Sequence, residues 1–180
     1  SYRIKHGLPI EGGEVGVGVL KMVNARSAGV AFSIDPVSRD DSKIVIEGNW
    51  GLGEGVVSGQ TDVDRYVVDK RSLEIVERMI GIKTKYFIRK EDGADWDEVP
   101  DDMQRKPCIN DNEVKEIARL TKELEERLGS PQDVEWAIDS DLPFPNVLLL
   151  QTRPVTVSLD KKENLTDRLI DLMTHTLFRI

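Results

Sequence analysis

The stretch that decides the fold is GSPQDVEWAIDSDLPFPNVLLLQTRPV, residues 129–155. Its two apolar runs, VEWAID at 134–139 and NVLLLQT at 146–152, have the length and composition of β-strands. The residues between them, DSDLPFP, contain two prolines and are typical of a turn. The pattern predicts an antiparallel hairpin.

Four polar residues of this hairpin are candidate site residues. Asp133 and Glu135 are two positions apart on the first strand, so both side chains point to one face. Gln151 and Arg153 have the same relation on the second strand, and antiparallel pairing would bring all four together. Carboxylate and amide oxygens suit Mg²⁺, and a guanidinium binds phosphate oxygens. The alternative is an amphipathic hairpin with a cross-strand ion pair on its wet face, which the residues alone favour.

The rest of the chain predicts an α+β fold with a mostly antiparallel sheet and packed helices. Apolar runs separated by turn residues predict strands at 15–23, 29–36, 43–50, 64–70 and 73–80. The segment NARSAG (24–29) is interpreted as a turn, and residues 89–107 as a solvent-facing excursion pinned by Trp96 and Val99. Apolar residues at helical spacing predict helices at 111–128 and 163–180, the first with Asn110 as N-cap, Glu113 in a capping box and Gly129 at its end.

Two further segments are weaker candidates. The glycines of GLGEGVVSG (51–59) permit close backbone approach to a ligand, with Glu54 as a polar contact. The alternative is a tight turn, and the spacing matches neither a P-loop nor a dinucleotide fingerprint. In VGVGVLKMVN (15–24) a nucleotide base could lie along the strand edge against Met22 or Val23, although an ordinary core strand is the favoured interpretation.

The composition excludes several classes of protein. The formal net charge of −8 disfavours nucleic-acid binding, and no apolar run has membrane-spanning length. The single cysteine, Cys108, permits no internal disulfide and is interpreted as a buried apolar residue, which fits the cytoplasm. His6 and His175 are interpreted as structural or solvent-facing. The chain begins without methionine, so we expect a piece of a longer polypeptide or a processed chain.

Taken in order, several segments resemble the nucleotide-binding domain of phosphoenolpyruvate synthase and pyruvate phosphate dikinase. Rifampicin phosphotransferase and phenylphosphate synthase carry a similar domain. The resemblance covers residues 2–155 and is carried by VGVGVLKMVNARSAGVAFSIDPVS, VIEGNWGLGEGVVSGQTDVDRYVVDK, IGIKTKY, KPCINDNEVKEIARL, and GSPQDVEWAID followed by LLLQTRPV. Any one segment alone would be a weak signal, and their common order is what makes the resemblance specific.

The resemblance implies the C-terminal half of an ATP-grasp domain, a partial domain at residues 1–157 followed by an amphipathic helix at 158–180. It implies that Glu135 and Gln151 hold Mg²⁺ on ATP, that Asp133 is the companion carboxylate and that Arg153 contacts the transferring phosphates. It places adenine against the hinge residues 20–23 (Leu20, Lys21, Met22 and Val23) and Glu54 near the nucleoside. Lys83 matches a family lysine for which we infer no role.

The same resemblance implies parts that this sequence does not contain. They are the N-terminal half of the domain, with its phosphate-binding Lys and Arg, and a domain or subunit whose histidine accepts phosphate. In the family, ATP is cleaved to AMP and phosphate, and a phosphoryl group passes through that histidine to pyruvate or a similar acceptor. We therefore expect a split subunit or a truncated polypeptide, in a homo- or hetero-oligomer.

Two departures from the family pattern bear on these expectations. The family usually has glutamine where this chain has Leu20, so a side-chain contact to adenine there would be lost. The loop of the final hairpin is longer than typical, which affects the strand register. Two other functions stay open: a non-catalytic nucleotide-binding or scaffolding subunit, and a structural domain whose C-terminal helix docks a partner.

Overall fold

The computed structural model describes Gly7 and residues 18–155. Within them, six antiparallel strands form one sheet in the order β4-β3-β2-β1-β7-β8, and β5 and β6 form a separate hairpin. The elements are β1 (Ala25–Phe32), β2 (Lys43–Trp50), α1 (Glu54–Val57), β3 (Asp64–Asp69), β4 (Ile75–Met79), β5 (Lys85–Lys90), β6 (Gly93–Glu98), α2 (Asp111–Leu128), β7 (Gln132–Asp139) and β8 (Val147–Pro154). The mostly antiparallel α+β class is confirmed. None of the helices in this part of the chain is long and apolar enough to cross a membrane.

The core lies between one face of the six-stranded sheet and helix α2. The helix supplies Val114, Ile117 and Ala118 at helical spacing, all fully buried. The sheet supplies alternate residues of its central strands, because successive side chains of a strand point to opposite faces. They are Ala31, Ile44, Ile46, Tyr66, Val68, Val134, Trp136 and Ile138.

Trp136 determines how closely β1, β2 and β7 pack. Gly29 pairs with Trp136 on one side and with Gly48 on the other. A Cβ atom at Gly29 would lie 2.7 Å from Cζ2 of the indole, and one at Gly48 would lie 2.8 Å from its Cη2. The ring therefore lies across two glycines, and it is fully buried there.

Helix α2 begins and ends at the predicted residues. The Asn110 side chain accepts a hydrogen bond from the Glu113 backbone, and the Glu113 carboxylate accepts one from the Asn110 backbone. Gly129 adopts the left-handed conformation, with φ of 72°, that ends a helix at little cost for glycine. These signals are local, which is why the sequence was sufficient to predict them.

Two predictions for the N-terminal part are wrong. Residues 18–23 are not in a strand, and β1 instead runs through the predicted turn 24–29 and ends at Phe32. The reason is tertiary: β1 is paired on both sides, with β2 and β7, and its Gly29 fits beneath Trp136, whereas glycine and alanine have low intrinsic strand preference. Residues 15–17 and the predicted C-terminal helix, with His6 and His175, lie outside the described residues.

The excursion at 89–107 is also more ordered than predicted. Its first part completes the β5–β6 hairpin, in which Trp96 packs edge-on against Phe87 with ring centroids 5.4 Å apart. Val99 is buried in the core, which agrees with the prediction that it anchors the excursion.

Replacing Gly29 by alanine tests the packing of Trp136. The new Cβ would lie 1.9 Å from the Glu47 carbonyl oxygen, so the β1–β2 pair must separate. We expect the free energy of unfolding to fall by about 3 kcal/mol, measured by urea denaturation. Gly53→Ala is the control, since Gly53 has helical dihedrals and open space around its Cβ. Equal stabilities of the two variants would contradict the packing argument.

Candidate functional site

The register of the β7–β8 hairpin brings the four predicted site residues together. Asp133 lies directly opposite Arg153, and Glu135 lies directly opposite Gln151. All four are on the sheet face opposite α2, because the neighbouring residues Val134 and Trp136 point into the core.

A bulge in β8 makes this arrangement possible. Leu149 pairs with Trp136 and Gln151 pairs with Glu135, so Leu150 has no partner in the register. In a regular strand Leu149 and Gln151 would share a face, since they are two positions apart. The bulge therefore lets Leu149 pack against the core while Gln151 and Arg153 join the carboxylates on the other side.

Asp133 is a buried carboxylate with one bound oxygen and one unpaired oxygen. Arg153 donates a hydrogen bond from Nε to Oδ2 of Asp133 at 2.7 Å, and the Asp133 side chain is only 4% exposed. Within the described part of the chain, Oδ1 of Asp133 has no hydrogen-bond partner. A buried unpaired oxygen is costly, so this site favours a cation or a donor group.

The pKa values of both carboxyl groups are raised, chiefly by burial. For Asp133, the ion pair with Arg153 opposes the effect of burial on the pKa. For Glu135, the Arg153 charge lowers the pKa and the Asp133 charge raises it further. Both groups therefore lack the solvation that would stabilise their charged forms, and a bound cation would supply it.

The same face carries a second charged group that the sequence analysis missed. Glu47 on β2 is two strands away from Glu135, separated by Val30. Arg65 on β3 lies opposite Glu47, with its Nη1 3.8 Å from Oε1 of Glu47 and its Nη2 3.8 Å from Oδ2 of Asp35. Burial raises the pKa of Glu47 and the Arg65 charge opposes it. A lone glutamate within the apolar run KIVIEGNW was the signal that could have indicated it.

The hinge candidates lie on an extended segment before β1 rather than on a strand. Leu20 is 85% exposed and Met22 54%, Lys21 is exposed, and Val23 is half-buried. Asn24, which follows them, binds the turn of the β7–β8 hairpin, because its carbonyl accepts from Ser140 N and its amide donates to Asp141 Oδ1. The segment thus presents apolar side chains beside the end of β7.

The glycine-rich segment leads from β2 into the short helix α1. Gly51 has a left-handed φ of 76°, which glycine adopts at little cost. Glu54 is in the first turn of α1 and is exposed, while α1 packs against β1 and β2. Both interpretations from the sequence fit this geometry, since the segment is a strand-to-helix turn and Glu54 is accessible.

Two other residues singled out in the sequence lie outside this face. Cys108 is buried, and burial raises the pKa of its thiol, so it is not an activated nucleophile. Lys83 is fully buried in an ion pair with Asp64. Among residues 18–155 there is no group of three or more His, Cys, Asp or Glu side chains that could hold a metal by themselves.

The sequence is similar to those of known proteins over most of its length. The family model of the pyruvate phosphate dikinase AMP/ATP-binding domain matches residues 1–171. A probable phosphoenolpyruvate synthase of Methanocaldococcus jannaschii is 44% identical over 147 residues, which is 81% of this chain and 12% of that protein. The phosphoenolpyruvate synthase of Aeropyrum pernix is 40% identical over 91% of this chain and 23% of its own length. The uncharacterized phosphotransferase YvkC of Bacillus subtilis is 36% identical over 90% of this chain and 19% of its own length.

The variant Glu135→Gln tests the electrostatics of this face. A raised pKa means that the folded state holds the proton to higher pH than the unfolded state, whose carboxyl pKa values are about 4. The stability contributed by protonated Glu135 is therefore lost as pH rises through its folded pKa. We expect Glu135→Gln to be no less stable than the wild type at pH 7, with a weaker loss of stability between pH 4 and 7. Urea denaturation across this pH range measures both.

The matched control is Glu98→Gln, which removes an exposed carboxylate at the end of β6. Its free energy of unfolding should stay within about 0.5 kcal/mol of the wild type. A marked loss of stability in Glu135→Gln at pH 7 would mean that a favourable partner outweighs the burial of this carboxylate.

Proposed function

The chain belongs to the family of pyruvate phosphate dikinase AMP/ATP-binding domains, and from this membership we propose that it is the ATP-binding part of a dikinase-type phosphotransferase. In the proposed reaction, ATP is cleaved to AMP and phosphate. A phosphoryl group then passes through a histidine on another domain to pyruvate or a similar acceptor. The observation that carries the proposal is the pairing of Asp133 with Arg153 and of Glu135 with Gln151 on one face.

The hairpin offers suitable ligands for Mg²⁺, with Glu135 and Gln151 holding the ion and Asp133 as the companion carboxylate. All three offer hard oxygen donors, and the unpaired Oδ1 of Asp133 supports a role toward a cation. Mg²⁺ in phosphoryl-transfer sites commonly takes only one or two protein carboxylates, with phosphates and water completing its shell. A face with few acidic groups is therefore compatible with such a magnesium site. When bound, the ion would neutralise charge on the phosphates.

Arg153 is proposed to contact the transferring phosphates. Its Nε is bonded to Asp133, which orients the guanidinium plane. The side chain is 32% exposed, so its terminal nitrogens can reach a ligand on the outer face. A guanidinium fork matches phosphate oxygens in a bidentate way. Asp133 would thus position Arg153 as well as serve the metal.

The nucleoside is proposed to lie against residues 20–23, with Glu54 near the sugar. The exposed apolar side chains of Leu20 and Met22 support an adenine wall, since an aromatic base favours such contacts. Lys21 and Val23 would contribute through their backbone groups. The Leu20 side chain cannot form the hydrogen bonds that the glutamine usual in the family could form. Recognition of adenine at this position would therefore depend on backbone groups.

The larger assembly is also a proposal. The chain spans about one eighth to one quarter of the length of the curated relatives described above. We propose an ATP-grasp fold, with residues 1–157 as one wall of the ATP site and 158–180 as an appended segment. The other wall and the phosphohistidine domain or subunit would be its partners, in the cytoplasm.

The variant Glu135→Ala tests the metal assignment. The chain is combined with the polypeptide that carries the remaining family domains, and Mg²⁺-dependent release of AMP from ATP is measured. Loss of the carboxylate should reduce the rate on the order of 100-fold or more, because charge neutralisation is central to phosphoryl transfer. Glu98→Ala, on the separate β5–β6 hairpin, should leave the rate unchanged. An unaltered rate in Glu135→Ala would refute the assignment and favour a non-catalytic role.

The isolated chain should bind Mg-ATP weakly or not detectably. The described face supplies metal ligands and one guanidinium, whereas tight nucleotide binding usually requires enclosure on several sides. Isothermal titration calorimetry of the chain alone, then with the partner polypeptide, measures the difference. Tight binding by the chain alone would show that no second wall is needed.

A further inference from the structure

We propose that residues 81–87 form a clamp that sets the conformation of the glycine-rich segment, and that Lys83 is its buried anchor. Lys83 is thereby a positioning residue for the nucleotide site, acting through Asp64. This part of the inference rests on the proposed function, because it concerns how well the segment at 51–59 meets ATP. The clamp itself consists only of contacts within this chain and does not depend on the proposed function.

Lys83 cannot be a ligand-binding lysine in this fold. Its side chain is fully buried, with Nζ 2.5 Å from Oδ1 of Asp64, which is equally buried. Nζ also donates to the Gly81 carbonyl at 3.1 Å. A cation enclosed in this way does not reach solvent, so its role must be structural support of the segments that it joins.

Asp64 is the point at which the glycine-rich segment rejoins the sheet. It is the first residue of β3, and its carboxylate accepts hydrogen bonds from Lys83 Nζ, Gly81 N and Cys108 N. Gly81 lies so close to the chain before Asp64 that a Cβ there would be 2.5 Å from the Val63 carbonyl oxygen. Residues 81–83 therefore hold the chain that follows the segment, where it enters β3.

The strand that follows these residues holds the beginning of the segment. The Lys85 carbonyl accepts a hydrogen bond from the fully buried Asn49 side chain at 3.1 Å. The Phe87 carbonyl accepts one from Leu52 N at 2.7 Å, and a Cβ at Gly51 would lie 2.3 Å from the same oxygen. One continuous stretch of seven residues, 81–87, thus contacts the chain on both sides of α1.

The Lys83–Asp64 ion pair and strand β5 are connected through one continuous stretch of chain. On the same stretch of chain, the Lys85 carbonyl that binds Asn49 is two positions after Lys83, and the Phe87 carbonyl that binds Leu52 is four positions after it. Without Lys83, the buried Asp64 carboxylate loses its cation, and a buried unpaired charge drives local rearrangement. That rearrangement would release the stretch at 81–87. The glycine-rich segment would keep the bond from Gly51 N to the Arg26 carbonyl, but it would lose the Leu52–Phe87 bond, and the chain that follows it would lose its support at Asp64.

Hydrogen exchange of the full 180-residue chain tests the clamp without any nucleotide. In Lys83→Met, exchange of the Leu52 amide and of the α1 amides should accelerate at least about tenfold more than exchange of the β7 amides. Ile117→Val is the control, because it weakens the core beneath α2 and should accelerate exchange evenly. An even acceleration in Lys83→Met, or none at residues 51–63, would overturn the clamp.

A second variant covers the case in which Lys83→Met does not fold. Asn49→Ala removes the bond to the Lys85 carbonyl and the local bond that Oδ1 of Asn49 accepts from Trp50 N, and it should produce the same selective acceleration at Leu52 and α1. If Lys83→Met does not fold, an even acceleration in Asn49→Ala, or none at residues 51–63, shows that the clamp is wrong.

Kinetics with the partner polypeptide test the link to the nucleotide. Asn49→Ala should raise the KM for ATP several-fold with little change in kcat, because the segment is proposed to meet the nucleoside and not the transferring phosphates. A lower kcat at unchanged KM, or no change in either, would overturn the positioning role. Absence of ATP cleavage by the wild-type assembly would instead overturn the proposed function, and the exchange result would still decide the clamp.

Discussion

The structure depends on the packing of the Trp136 indole across Gly29 and Gly48. This contact fixes which face of β7 points to helix α2, and alternation along the strand then sends Asp133 and Glu135 to the opposite face. The packing of the core therefore determines to which face the Asp133 and Glu135 side chains point. A shift of β7 by one residue would bury both carboxylates under the helix and expose the indole.

The face opposite the core is electrostatically unfavourable without a ligand. Burial raises the pKa of Asp133, Glu135 and Glu47, and two arginines, Arg153 and Arg65, only partly compensate. Such an arrangement is typical of sites that give up stability to bind a charged partner. The nucleotide with its metal proposed above would be such a partner, since it would use carboxylate oxygens and a guanidinium on one surface.

Rigid elements hold both parts of the proposed site. The metal-ligand candidates sit on two directly paired strands, β7 inside the sheet and β8 at its edge. The glycine-rich segment packs on β1 and β2 through α1, and it is also tied to residues 81–87 through Leu52, with Asn49 before it and Asp64 after it bound to the same stretch. A buried ion pair remote from the carboxylates can thus influence a ligand-facing loop, because both contact residues 81–87.

The sequence alone determined the features that arise from local signals. Helix α2 followed from its caps and apolar spacing, strand β2 from its apolar run, and the pairing of the two polar pairs from the alternation in one hairpin. The order of several short segments indicated the family, which the comparison confirmed. Tertiary structure alone decided that β1 runs through small residues predicted as a turn, because they pair with β2 and β7 on both sides and Gly29 fits beneath Trp136. It also decided the bulge at Leu150, the burial of Lys83 and the position of Glu47 on the site face. Each of these depends on a partner distant in sequence, and no local pattern of residues specifies such a partner.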